Sequence, residues 1–218
     1  TALKHEIAAL PGVKRVACAS GNVVSGGMSK TFANQPGHTR VAINTGPVDV
    51  GFFELHGLRP LAGRFFDPAK GQDMVLQRSG EGAANQPNIV LNVSGAYRLG
   101  FRRPQDAVGK TISWARWNAG ASNAVFPPAA RSKVIGIVPD FTLFSIRASI
   151  EPALYYVDPQ RTALMLLKLD GRTVPETLQA IDRLWKRTGH DKPASYVFEN
   201  QAVQDLYQDV ITQEIALS

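Results

Sequence analysis

The spacing of apolar positions changes along this chain, and each change marks an element. Leu3, Ile7 and Leu10 recur at helical spacing and stop at Pro11-Gly12, which predicts a short amphipathic helix. Val13 to Ser20 is then a β-rich run. Thr31-Phe32 and Arg40 to Ile43 flank Gln35-Pro36-Gly37, the pattern of a hairpin. Phe52, Phe53 and Leu55 fall on a short helix broken at Gly57. Asn88 to Leu91 predicts a strand leading into a helix that runs to Leu99. Thr111 to Trp117 and Lys133 to Val138 predict two more strands, with Asn118 to Ala130 as a loop between them.

The last third has the clearest local grammar. Ala163 to Leu169 is a strand, and Thr173-Val174-Pro175-Glu176 has the spacing of a capping box, in which Thr173 accepts from the third amide and Glu176 reaches back. Val174, Leu178, Ile181 and Trp185 share one face of the helix that follows. Lys186 and Arg187 complement the negative end of its dipole, and Gly189 can close it. Ser195 to Phe198 is the next predicted strand, giving a strand-helix-strand unit. Asn200 can cap a final helix with Val203, Leu206, Tyr207, Val210 and Ile211 on its apolar face. The chain starts at Thr1 without Met and stops at Ser218 inside that helix, so both ends are expected to be helices cut mid-course. The first helix and strand are expected to complete one sheet with the last third, which makes the region between them an insertion.

Composition changes this picture little. The chain has 218 residues, 44% hydrophobic and 19% charged, enough for a packed core in one large domain or two small interlocked ones. Cys18 is the one cysteine, so an intrachain disulfide and a multi-cysteine metal cluster are excluded; its apolar surroundings predict a small buried hydrophobe. The net charge of +6 is concentrated in residues 95–150, which hold eight basic residues and two acidic ones. Those cations are dispersed and no zinc-finger, RNP or basic-helix pattern accompanies them, so nucleic acid is not the expected partner.

Candidate chemistry is sparse. Pro104 to Thr111 imitates GxxxxGK[ST], but Pro104 removes an amide from the cradle and Thr111 opens a strand where that motif opens a helix. Ser25-Gly26-Gly27 is an ordinary turn. His5, His38, His56 and His190 lack metal-ligand spacing, and no GxSxG elbow or SxxK pair marks a nucleophile. Asn92-Val93-Ser94 matches a glycosylation sequon but falls at a strand-helix junction. No catalytic, cofactor-binding or metal-binding residue is expected.

An ordered series of short motifs says more. Val48 to Leu58 is followed by Leu61-Ala62-Gly63-Arg64-Phe65-Phe66, Asn88 to Asn92, Ala96 to Gly100, Ala107-Val108-Gly109-Lys110-Thr111, Val134 to Phe141 and Glu151-Pro152-Ala153-Leu154-Tyr155-Tyr156-Val157. In this order they resemble the periplasmic core domain of MacB-like ABC transporter permeases, the type with an FtsX-like membrane part. Leu99-Gly100-Phe101 departs from the more usual Leu-Phe-Gly order, and Asn118 to Ala130 looks like an extra loop.

The resemblance implies an α+β fold of two lobes between two transmembrane helices of the permease. Residues 1–45 plus 158–218 would form a split βαβ porter-like lobe, and 46–157 an inserted mixed α/β lobe. The motif residues Phe53, Gly63, Arg64, Phe65, Gly109, Lys110, Gly136, Asp140 and Pro152 are expected to be structural. Phe53, Phe65 and Phe66 would be core, Gly63 a permissive backbone, Arg64 an ion pair or a carbonyl cap, and Gly136 a site of close strand approach. By the same resemblance this is a non-catalytic periplasmic domain of an inner-membrane protein, needing no cofactor. Its partners would be a cytoplasmic ABC ATPase subunit, a second permease copy and a periplasmic adaptor protein. The competing expectation is a periplasmic ligand- or protein-binding module without transport coupling.

Overall fold

Alternating burial along the strands separates an inner layer of side chains from an outer one, and the strand pairing closes the inner layer into a barrel. The computed structural model describes residues 2–21, 28–75, 86–115, 130–141, 150–189 and 193–199. The elements are α1 (Ala2–Ala8), β1 (Val13–Ala19), β2 (Ser29–Asn34), β3 (Val41–Val48), α2 (Phe52–Leu55), β4 (Ala62–Gly63), β5 (Ile89–Asn92), α3 (Val93–Arg98), β6 (Thr111–Trp114), β7 (Ala130–Val138), β8 (Ala153–Val157), β9 (Leu164–Leu169) and α4 (Val174–Arg187).

β2 pairs with both β3 and β6, so the path β2-β6-β7-β5-β8-β3 returns to β2 and leaves no open edge among those six strands. β3–β8 and β5–β7 are parallel, and the other pairs in the ring are antiparallel. Ala33, Ile43, Ile89, Leu91, Ile112, Trp114, Val134, Ile137, Leu154 and Tyr156 fill the interior, and Ala96, Leu99 and Phe101 from α3 and its exit pack with them. The Trp114 indole N–H donates to Ser132 Oγ at 2.9 Å, which satisfies both buried polar groups.

The outer faces of β3, β5, β7 and β8 carry Val48, Val90, Val138, Ala153, Tyr155 and Val157, and α2 covers them with Phe52, Phe53 and Leu55. β7 serves both layers through a bulge. Ile89 faces Val134 and Val90 faces Gly136, so Ile135 is an extra residue whose side chain joins the outer layer.

β1 leaves the ring at the pair Ala19–Val48 and carries β9 along its other edge. α1 and α4 pack there, with Ile7, Ile181 and Leu184 as a third core. On α4 it is Leu184 that is buried, with Trp185 beside it half-buried.

Most expected elements lie where the pattern put them. Three expectations differ. The capping box does not form: Thr173 caps α4 without a side-chain bond, because the Thr177 hydroxyl takes the Thr173 carbonyl at 2.6 Å and both hydroxyls crowd the Gly12 turn. Ser195 to Phe198 is not a strand; the Tyr196 hydroxyl donates to Asp182 at 2.7 Å and ties this segment to α4. The expected boundary between residues 45 and 46 falls inside β3, which pairs with β8 from Asn44 to Val48. The expected turn at Ser25-Gly26-Gly27, the loop from 118 to 129 and the helix after Asn200 lie outside the described residues.

Candidate functional site

Gly51, at φ 87°, turns the chain out of β3 into α2, and a four-residue helix is long enough to set Phe52 and Phe53 against the barrel wall. Phe53 stacks on Phe65 at 4.9 Å between ring centroids and meets Tyr155 edge-on at 5.3 Å; Phe141 stacks on Tyr155 at 5.8 Å. Burial, with the nearby Asp140 carboxylate, raises the Tyr155 phenol pKa, so it stays neutral.

Gly63 and Gly136 are where the outer layer touches β7 through backbone alone. Gly63 has φ 70°, and a Cβ there would lie 2.1 Å from the Ile135 carbonyl oxygen; a Cβ on Gly136 would lie 2.2 Å from the Arg64 carbonyl oxygen. The next residue locks this contact. Arg64 Nη1 donates to the Phe65 carbonyl at 2.9 Å, and the guanidinium grips Asp73 with both Nη atoms. Asp73 is fully buried and also accepts from Asp67 N at 2.9 Å and Asn88 Nδ2 at 2.7 Å. Burial by itself raises a carboxyl pKa, but these donors outweigh it and hold Asp73 below the usual value.

The other motif residues secure the barrel elsewhere. Gly109, at φ 84°, donates its N–H to the Val134 carbonyl at 2.8 Å, and the Lys110 carbonyl accepts from Val134 N at 2.9 Å. Lys110 N donates to Ala107 O at 3.0 Å and Thr111 opens β6, so both amides that a phosphate cradle would offer are already bonded. Asp140 accepts from Ser94 N at 3.0 Å and Ser94 Oγ at 2.7 Å. Asn92, 2% exposed, accepts from Gly95 N and Ala153 N, each at 2.8 Å, which leaves its amide no room for a glycan. The Pro152 carbonyl accepts from Asn44 N at 2.9 Å. Phe53, Gly63, Arg64, Phe65 and Gly136 thus meet at one seam, while Gly109 and Lys110, Asp140, and Pro152 act at three other places.

A second seam joins the α1–β1 part to the barrel. Lys4 on α1 pairs with Asp49, Asp49 N donates to the Cys18 carbonyl at 2.9 Å, and Ser20 N donates to Pro47 O at 3.3 Å. Cys18 is half-buried, and desolvation, with Asp49 close by, pushes its thiol pKa up, so the unreactive thiol form is favoured. No motif announced Lys4 or Asp73, and the motifs that contain Asp49, Asn88, Asn92 and Ser94 did not give their partners. Their roles arise from chain crossings far apart in sequence, although Asn92 one residue before a helix is a recognisable cap.

His56 packs edge-on against Phe52 at 5.0 Å, and its buried Nε2 has no hydrogen-bond partner. Burial, with a smaller push from Lys168, lowers its pKa from 6.5 to about 4. The fold therefore holds His56 neutral while the unfolded chain takes up a proton below pH 6.5. Stability present above that pH is lost as pH falls towards 4. His56→Phe should remove this part of the acid sensitivity, measured as the difference between urea midpoints at pH 7 and pH 4.5. An unchanged difference would count against a neutral buried imidazole.

Among the described residues no group of three or more His, Cys, Asp or Glu could hold a metal ion, and no helix is long and apolar enough to cross a membrane. What the geometry offers is a closed barrel with two tight seams.

The fold is shared with two solved extracellular or periplasmic domains. The chain is similar to the extracellular domain of the ABC-type transporter YknZ from Gram-positive bacteria, with a TM-score of 0.55 and 13% identity over 88% of this chain and 85% of that one. It is likewise similar to the periplasmic region of MacB from Actinobacillus actinomycetemcomitans, with a TM-score of 0.56 and 15% identity over 95% of this chain and 81% of that one. No family model matches the sequence, and no curated protein does.

Proposed function

We propose that this chain is the extracytoplasmic domain of an ABC transporter permease subunit, and that it couples ATP hydrolysis in the cytoplasm to movement or release of a substrate on the periplasmic side. The observation that carries the proposal is the fold, shared with the periplasmic region of MacB over 95% of the chain. The ordered motifs from Val48 to Val157 support it independently of the coordinates. In this reading the parent protein sits in the inner membrane and works with a separate ATPase subunit. A second permease copy and a periplasmic adaptor complete the assembly.

The α1, β1, β9 and α4 unit is then the porter-like lobe and the barrel the inserted one. Strand pairing favours a boundary between β1 and β2, since β2 and β3 both belong to the ring. The Lys4–Asp49 pair and the backbone bonds around Cys18 are the path by which a shift of α1 reaches the barrel. The nine motif residues are structural, and the domain performs no chemistry.

The division of roles is tested by calorimetric titration of the chain with magnesium-ATP. No binding heat is expected, because the loop from Pro104 to Thr111 has spent its amides. A saturable heat would overturn the assignment of nucleotide chemistry to another subunit.

A further inference from the structure

The outward face of β2, β6 and the first part of β7, Arg131 to Lys133, is uncovered by any described helix, and none of these three strands contains Asp or Glu. Thr31, Ala33, Ile112, Trp114, Ser132 and Val134 point inward and are buried, so the alternate positions point out: Lys30, Phe32 and Asn34 on β2, Thr111 and Ser113 on β6, Arg131 and Lys133 on β7. The register makes them neighbours. Asn34 faces Ser113, Ser113 faces Arg131, and Thr111 faces Lys133. Arg40 and Lys110 border this wall, both exposed. None of Lys30, Arg40, Lys110, Arg131 and Lys133 makes an ion pair with a described residue. Phe32 stands among them 48% exposed.

We infer that this wall docks an acidic protein surface belonging to the transport assembly. Lys30, Arg131 and Lys133 on strands without a carboxylate, with Arg40 and Lys110 at the border and Glu151 in one groove with Lys30, leave a net positive wall that attracts an anionic partner and repels a second copy of this basic chain. The Thr111 and Ser113 hydroxyls between the cations suit the hydrogen-bonding of a protein interface. β7 lies across the ring from β3, the strand that carries β1, while β2 pairs with β3 directly. The inference rests on the proposed function, in which the barrel is the inserted lobe.

The test compares two triple variants of equal charge change: Lys30→Glu, Arg131→Glu and Lys133→Glu on the wall, and Lys168→Glu, Arg183→Glu and Lys186→Glu on the other unit. Binding to poly-L-glutamate and to phosphatidylglycerol vesicles is measured for each, with circular dichroism to check folding and the Gln versions in reserve if the Glu wall variant misfolds. The wall variant should bind polyglutamate about tenfold or more weakly and lose the salt dependence of the parent chain, while the control changes by less than about twofold. Equal losses in both variants would reduce the effect to net charge and overturn the inference. Vesicle binding tighter than polyglutamate binding, and abolished by the wall variant, would overturn it in favour of a membrane surface. In cells, a photocrosslinker at Ser113 of the full-length permease should capture a partner whose crosslinked surface is acidic; a basic or lipid adduct contradicts the inference. If the chain faces the cytoplasm, the proposed function fails. If it faces outward and the wall variant behaves as the parent, the docking inference alone fails.

Discussion

Replacing Asp73 by alanine is expected to cost about 3–5 kcal/mol of stability, the largest effect of any single polar substitution in the described structure. The carboxylate is fully buried and takes four hydrogen bonds: two from Arg64 and one each from Asp67 N and Asn88 Nδ2. Removing it strands the Asp67 amide and the Asn88 carboxamide and breaks the clamp on Arg64, whose side chain is 38% exposed. Asp73→Asn keeps the volume but points an NH2 at groups that themselves donate, so it too should lose more than about 2 kcal/mol. The pH dependence distinguishes this from simple packing loss. Because the folded pKa is depressed, the carboxylate contributes stability above the ordinary Asp value of 3.8 and loses it as pH falls through the lowered folded value. The parent chain should therefore weaken in strong acid by a component that Asp73→Asn lacks. Urea denaturation at pH 7 and pH 3 reads both quantities; a loss below about 1 kcal/mol at pH 7 would show that the Arg64 clamp is dispensable.

Gly136→Ala and Gly63→Ala should each cost about 3 kcal/mol or more. Either methyl would lie within 2.2 Å of a carbonyl oxygen in the facing backbone, and Gly63 also has φ 70°. Main chain cannot rotate aside as a flexible side chain would. The two glycines serve one contact, so the double variant should lose less than the sum of the single losses. Gly109→Ala is the control: φ is 84°, but a Cβ there meets nothing within 4 Å, so only the left-handed backbone penalty of about 1 kcal/mol applies. Similar losses at all three positions would mean that backbone conformation, and not the close approach, sets the cost.

These positions show where sequence reasoning reached and where it stopped. Gly63, Arg64 and Gly136 were legible through the ordered motifs that contain them; Arg64 serves both of the expected roles, ion pair and carbonyl ligand. The β2–β3 hairpin, the β5–α3 junction and α4 followed from periodicity and from Pro and Gly punctuation. Barrel closure was not legible. It depends on β2 meeting β6 and on β3 lying parallel to β8, pairings between residues about eighty to about a hundred and ten positions apart that no local pattern encodes. For the same reason the expected division at residue 45 cut through β3. Local signals also lost to tertiary contacts at Thr173, where Thr177 and the Gly12 turn claim the capping groups, and at Ser195 to Phe198, where Asp182 holds Tyr196. Asp73 carries no motif, since its donors come from two other segments, Arg64 to Asp67 and Asn88.

The side of the membrane on which this chain lies is the most direct test of its proposed role. Gly171 is exposed, and a side chain there meets nothing within 4 Å, so Gly171→Cys in a Cys18→Ser background places one reactive thiol on the surface. In intact cells with a permeabilised outer envelope, the full-length protein should react with a membrane-impermeant maleimide as fast as it does after lysis. Labelling that appears only after lysis would place the domain in the cytoplasm and contradict its assignment as the extracytoplasmic part of a transporter.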